Sequence, residues 1–381
     1  MLRKLGTTAC AVFILCAAMT TTTLAAQTIT MLESLNNADG AYPFAGLVQA
    51  TNGEFYGTTY NGGANLSGAI FKVSAGGSLA LVYSFCSETN CTDGSLPRAG
   101  LIADSNGNLY GAAEGGGTNN RGTVFKITPA GRLTVIYNFC NLAGCADGAQ
   151  PYGGLVQASN GSLVGTTESG GQYGFGSIFS VTPAGSFKTL YSFCASTGCP
   201  DGARPSGTLV QAANGVYYGT TQSGGKSANC GAYACGTVYK ITGAGALTTL
   251  HSFCVKSGCP DGQAPYAALT LASDGNFYGT TPAGGANANN GTVFKITPAG
   301  KLTTLYNFCS QPACSDGQGP YAGLIQATDV QADVLKQTIK TTVQSRSPSR
   351  RKTSLSSAGC PPHMSASFRR CVTRSRASSC P

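Results

Sequence analysis

The chain has 381 residues, 53 of them Gly, with 42% hydrophobic and 10% charged side chains and no Trp, a composition too apolar for disorder and without the every-third-residue Gly of collagen. Its formal charge of +9 is uneven: residues 27–328 hold 12 Lys/Arg against 13 Asp/Glu, whereas residues 329–381 hold 10 against 2. A near-neutral body excludes a charge-driven nucleic-acid partner, and no apolar run reaches the roughly 18 residues of a transmembrane span.

Residues 1–26 read as a signal peptide. Arg3 and Lys4 open it, Ala9 to Met19 is apolar, and Thr23 and Ala25 suit cleavage after Ala25. Cys16 follows the bulky Phe13-Ile14-Leu15, which does not fit a lipoprotein cleavage box. The expected address is secreted or the extracellular surface, with the periplasm as an alternative.

Residues 27–328 form a tandem repeat. Asp-Gly recurs at Asp39, Asp93, Asp147, Asp201, Asp261 and Asp316, at intervals of 54, 54, 54, 60 and 55 residues. A Pro stands four residues after each, at Pro43, Pro97, Pro151, Pro205, Pro265 and Pro320; the longest interval carries an insertion around Lys226–Cys235. Four strands are predicted per unit. The first is short, as in Gly100–Ala103, and is followed by an Asn-Gly or Asp-Gly turn, as at Asn106-Gly107. The second begins Asn108-Leu109-Tyr110-Gly111, and a loop through Gly116-Gly117 leads to the third, Gly122–Thr128. Pro129-Ala130-Gly131 turns into the fourth, where alternation places Leu133, Val135, Tyr137 and Phe139 on one face. No helical periodicity occurs between residues 27 and 328.

Four antiparallel strands in about 54 residues, repeated, predict an all-β fold, a β-propeller whose stacked blades bury both faces of each sheet. A β-solenoid is the alternative. Residues 28–35 align with a fourth strand and residues 321–327 with a first strand. The expectation is five complete blades plus a partial sixth, with open sheet edges that promote association.

Twelve Cys form six C-x4-C pairs: Cys86/Cys91, Cys140/Cys145, Cys194/Cys199, Cys230/Cys235, Cys254/Cys259 and Cys309/Cys314. In an oxidising compartment these read as local disulfides. Zinc, the rival, would need two distant pairs to converge.

The text Gly-Thr-Val-Phe-Lys-Ile-Thr-Pro-Ala-Gly at Gly291–Gly300 and Leu-Tyr-Ser-Phe at Leu190–Phe193, spread in variants over residues 28–328, resembles the GloVer tandem repeat of "choice-of-anchor" exported bacterial proteins. The resemblance implies an exported, surface-associated repeat protein, carries over no catalytic residue, and implies a C-terminal sorting segment that this chain does not display. The repeat breaks at Asp329-Val330, and residues 329–381 are a basic, Ser/Arg/Lys-rich tail with Cys360, Cys371 and Cys380. It reads as disordered, either a polyanion- or headgroup-binding tail or a shifted coding frame, since Arg346-Ser347-Pro348 falls near the next expected Lys-Ile-Thr. The frame reading is the favoured one.

Catalytic signatures are sparse. Gly224-Gly225-Lys226-Ser227 resembles the end of a phosphate loop, but Thr220 stands where its first Gly belongs. His251 occupies the place of Tyr83, Tyr137, Tyr191 and Tyr306 and reads as a structural substitution. No serine stands in a nucleophile elbow. Asn65, Asn160 and Asn290 match glycosylation acceptors, two of them at repeat turns or strand starts, so chance accounts for them better. The six repeated Asp read as turn-fixing residues, with a rim of Ca²⁺- or sugar-binding carboxylates as the weaker alternative. Glu33, Glu54, Glu88, Glu114 and Glu168 are read as sharing no repeat position, which leaves paired-carboxylate hydrolysis without candidates. No cofactor is expected. The preferred function is a non-catalytic scaffold or binding module for polysaccharide or another cell-envelope polymer. The alternative is a propeller hydrolase or lyase with residues drawn from several blades.

Overall fold

The computed structural model describes residues 34–326, apart from 228, 230–234 and 288. The signal peptide, Glu33, Cys230 and the basic tail lie outside the described residues.

The described chain is all-β, with five successive antiparallel sheets. The first contains β1 (Val48–Gln49), β2 (Phe55–Thr59), β3 (Ala69–Val73) and β4 (Leu79–Ser84); the second β5 (Ile102–Ala103), β6 (Leu109–Ala113), β7 (Thr123–Ile127) and β8 (Leu133–Asn138). The third has β9 (Val156–Gln157), β10 (Leu163–Thr167), β11 (Ser177–Val181) and β12 (Phe187–Ser192). The fourth has β13 (Ala203–Pro205), β14 (Val210–Gln211), β15 (Tyr217–Ser223), β16 (Thr237–Ile241) and β17 (Leu247–Ser252). The fifth has β18 (Thr270–Leu271), β19 (Phe277–Thr281), β20 (Thr292–Ile296) and β21 (Leu302–Asn307). Within each sheet, neighbours in sequence pair in order, as in propeller blades; in the fourth, β13 and β14 both pair with β15.

Each of the three inner blades buries two faces. Four apolar clusters fill the four junctions between consecutive blades. Every junction holds the same edge-to-face pair: Phe85–Phe125, Phe139–Phe179, Phe193–Tyr239 and Phe253–Phe294, with centroids 5.0–5.3 Å apart. Gly111 is required by this packing, because a Cβ there would stand 2.6 Å from the Phe125 ring and 2.7 Å from Leu101. The recurrent Pro has a matching cause. Gly122, at φ +100°, lets Pro151 of the next unit approach; a Cβ would meet the proline ring at 2.4 Å.

Two sequence expectations change in detail. The turn after the first strand is longer than a two-residue hairpin. Gly107 donates its N–H to Asp104 at 3.1 Å and has φ +79°, while Asn106 is not left-handed; this is a type I turn followed by a left-handed Gly. The fourth strand does not keep one face. Val124 pairs with Tyr137 but Phe125 with Val135, a bulge that inserts Ile136. Leu133 therefore packs toward the first blade, and Tyr137 and Phe139 toward the third.

The outer faces of the first and fifth blades are less covered. Leu47 is 50% exposed, against 2–6% for Leu101, Leu155, Leu209 and Leu269 at the same repeat position. Leu305 is 48% exposed, whereas Val82, Ile136, Leu190 and Leu250 pack against the clusters. Residues 321–326 do not form the expected first strand. In the other blades that strand pairs with the second strand of its own unit, and no such partner follows among the described residues. They instead continue the ring by accepting hydrogen bonds from the fifth blade: Thr280 Oγ1 to Ala322 O at 3.0 Å and Ser273 N to Gln326 Oε1 at 2.9 Å. Of the predicted closing strand, only Ser34 and Leu35 are described, and they lie in no strand.

Five disulfides staple the loops between blades: Cys86–Cys91, Cys140–Cys145, Cys194–Cys199, Cys254–Cys259 and Cys309–Cys314, with Cα atoms 3.9–4.1 Å apart. Both Cys of each pair have positive φ, for example 60° at Cys140 and 57° at Cys145, so the loop folds back on itself.

Candidate functional site

The repeated Asp residues sit inside these stapled loops. Asp147, fully buried, accepts from Tyr137 Oη at 2.7 Å, Asn141 N at 2.9 Å and Leu142 N at 3.2 Å. Asp93 is engaged in the same way by Tyr83, Ser87 and Glu88, and Asp201 by Tyr191 and Cys194. In the fourth stapled loop, Asp261 meets His251 Nε2 at 2.8 Å, so the imidazole takes the tyrosine hydroxyl's place. At Asp316, burial alone would raise the carboxyl, but hydrogen bonds from Tyr306 and Ser310 outweigh it and hold the group down at about 2. Burial, with the hydrogen bond to Asp93, pushes Tyr83 up to about 12. Asp39 makes its described side-chain contact with Asn36. Among the described residues no group of three or more His, Cys, Asp or Glu could hold a metal ion.

A different set of residues converges at the axis. The chain passes from each Asp-Gly through Pro into the innermost strand, and the residue after Pro is not constant: it is Tyr152, Tyr266 and Tyr321 in three units but Phe44, Arg98 and Ser206 in the others. The Arg98 guanidinium carbon lies 4.6 Å from the centroid of Phe44, 4.2 Å from Tyr152, and 5.7 Å from both Tyr60 and Tyr266. Tyr266 stands edge-to-face with both Tyr152 and Tyr321, at 6.0 and 5.8 Å. Four blades thus contribute to one aromatic cage around one cation. The residues before the prolines, Leu96, Gln150, Arg204 and Ala264, all have φ of 54–57°, a sparsely populated backbone state concentrated at this rim.

A second variable position lies at the end of the second strand: Tyr60, Glu114, Glu168, Gln222 and Pro282. The expectation that the glutamates share no repeat position fails here, because Glu114 and Glu168 are one unit apart and both belong to this ring. Burial raises the Glu114 carboxyl, opposed by Arg98 and reinforced by Glu168. Burial likewise raises Glu168, opposed by Arg204 and Arg98. Glu114 Oε2 and Gln222 Nε2 are buried without a hydrogen-bond partner. Burial is also the main cause that raises the Tyr266 phenol, with the neighbouring Tyr152 hydroxyl adding to it. The ion pairs among the described residues are Lys72–Glu54 and His251–Asp261, so none of these four axial charges is closely paired.

A cavity of about 1340 Å³ runs from the axis to Phe308 on the outer face of the fifth blade. Phe44, Tyr152, Tyr266 and Tyr321 line it together with Gly, Ala, Ser and Thr of the innermost strands. Among the described residues Arg98 is its one charged lining residue; Glu114 and Glu168 do not line it. Sequence reading searched for positions shared by all units and passed over these residues. The available signal was the opposite one, a fixed offset from Pro at which the repeat stops repeating. The phosphate-loop-like Gly224–Ser227 follows β15 and lies outside this cavity.

The fold and its axial site define a tandem-repeat propeller. The chain belongs to the Gloeobacter/Verrucomicrobia repeat family, which it matches over residues 18–144 and 141–335. No curated protein matches it. Among solved structures, it is similar to a protein of Bacteroides uniformis ATCC 8492 provisionally described as a 6-phosphogluconolactonase, at 15% identity and a TM-score of 0.43 over 72% of this chain and 76% of that one. A Dyadobacter fermentans DSM 18053 protein of unknown function gives 11% identity and a TM-score of 0.43, covering 75% and 87%. PorZ, a surface component of the type-IX secretion system of Porphyromonas gingivalis, gives 14% and 0.41, covering 68% and 33%. At these levels the likenesses carry nothing about activity.

Proposed function

We propose that this protein is an exported binding module that takes a segment of polysaccharide, of the cell envelope or its surroundings, in the axial cavity. One observation carries the reading: the positions at which the repeats vary converge on a single cavity walled by five aromatic rings and small residues, with no carboxylate among the described residues of its lining. Aromatic faces suit the C–H faces of sugar rings, and peripheral hydroxyl and backbone groups suit their hydroxyls. The five local disulfides support work outside the reducing cytoplasm. A glycan and cell-wall polymer array read for both capture and product release tests the proposal. Retention of intact oligosaccharide is the expected result, and failure to retain any polymer overturns it.

A second reading, a glycan-cleaving enzyme, is favoured by one observation. Glu114 and Glu168 come from adjacent blades, both have raised carboxyls, and each glutamate lies near an arginine. Product release that disappears in Glu114→Gln and Glu168→Gln would support it.

A further inference from the structure

We propose that the axial cavity selects a glycan bearing an oxyanion, a carboxylate or a sulfate ester, and that Arg98 is the residue that binds it. The inference rests on the polysaccharide-binding reading and narrows its ligand class. Arg98 is half-buried and lines the cavity. Among the described residues its guanidinium makes no ion pair and donates no hydrogen bond to a protein acceptor; its contacts are the rings of Phe44, Tyr60, Tyr152 and Tyr266. Ring stacking fixes the plane of the group but leaves its N–H donors, which lie in that plane, unused. A planar fork held rigid in a partly dehydrated cavity is preorganised for two parallel N–H···O bonds to an oxyanion.

The surrounding charge is compatible with this role. The positive charge of Arg98 opposes the rise of the Glu114 and Glu168 carboxyls, and Arg204 also acts on Glu168. Among the described residues of the lining, the sole formal charge is positive. Arg98 lines the cavity and neither carboxyl does. The body as a whole is near neutral, so no large net charge draws anions to it. The rings of Tyr152, Tyr266 and Tyr321 are placed to hold the sugar that carries the anion, which distinguishes this site from one for a small inorganic ion.

The test is calorimetric titration of the full chain with four oligosaccharides: oligogalacturonate, its methyl ester, a sulfated galactan oligomer and a neutral galactan oligomer. Wild-type protein is expected to bind at least one of the two anionic oligomers about tenfold or more tighter than the ester and the neutral chain. Which anionic oligomer binds distinguishes carboxylate from sulfate. Arg98→Met should remove that preference, while Arg98→Lys, which keeps charge but not the fork, should restore only part of it. Binding should also weaken as salt rises from 50 to 500 mM. Equal affinity for the acid, the ester and the neutral chain overturns the inference and leaves the binding module standing. Binding of none of the four overturns both. The wild-type comparison of acid with ester decides the matter even if Arg98→Met does not fold.

Discussion

The blade junctions and the axial cavity are built from the same five units, and they use the repeat in opposite ways. At the junctions each unit supplies the same residue types: a Phe at the end of the fourth strand meets a Phe or Tyr on the third strand of the next blade, four times over. At the axis the units supply a mixed set, Phe44, Arg98, Ser206 and two tyrosines, Tyr152 and Tyr266, to one shared space. Packing imposes the first pattern because every junction has the same shape to fill. The axis is met once by all blades, so a ligand there sees the set rather than any member. In a tandem repeat, sameness therefore reports the frame and difference reports the site.

Truncation at the two kinds of face gives the largest contrast. Phe125→Ala opens a filled junction and should cost about 3–5 kcal/mol. Leu47→Ala, on the outer face of the first blade, should cost about 1 kcal/mol or less because half of that side chain is already exposed. Urea unfolding of the full chain measures both, and equal losses would break the comparison. The carboxylate buried in a stapled loop comes next. Asp147→Ala strands the Tyr137 hydroxyl and two backbone N–H groups, at a cost of about 1–3 kcal/mol. Oligosaccharide affinity should not change, because the loop belongs to the frame.

Acid sharpens the comparison further. The Asp316 carboxyl is depressed to about 2 in the folded protein. A depressed carboxyl contributes stability that is fully present above its ordinary value near 4 and is lost as pH falls toward 2. The slope of stability against pH between about 4 and 2 should accordingly flatten in Asp316→Asn. An unchanged slope would show that this carboxylate carries none of it. The smallest effect on stability is expected at the open end. Leu305→Ser should leave the unfolding midpoint nearly unchanged yet reduce self-association in sedimentation, because the side chain it replaces is exposed on an uncovered face. If association is unaffected, the open faces are not what drives it. By the same logic, residues 27–328 expressed alone should associate more than a form in which the missing strands are restored.

By itself the sequence determined the four strands of each complete blade, their order, the stacking of blades and the local pairing of Cys140 with Cys145 and its equivalents, but not β13 or the absence of a strand at residues 321–326. These depend on interactions close along the chain, and a pattern written five times reveals them by its period alone. Alternation did not foresee the bulge at Ile136, because an inserted residue appears only where two strands pair. Nor did it place Glu114 and Glu168 together, or Arg98 against Phe44, Tyr152 and Tyr266. Those residues lie 54 to 168 positions apart in the chain. Only the curvature of successive blades about one axis decided that they meet, since that curvature comes from how whole faces pack and not from any single unit.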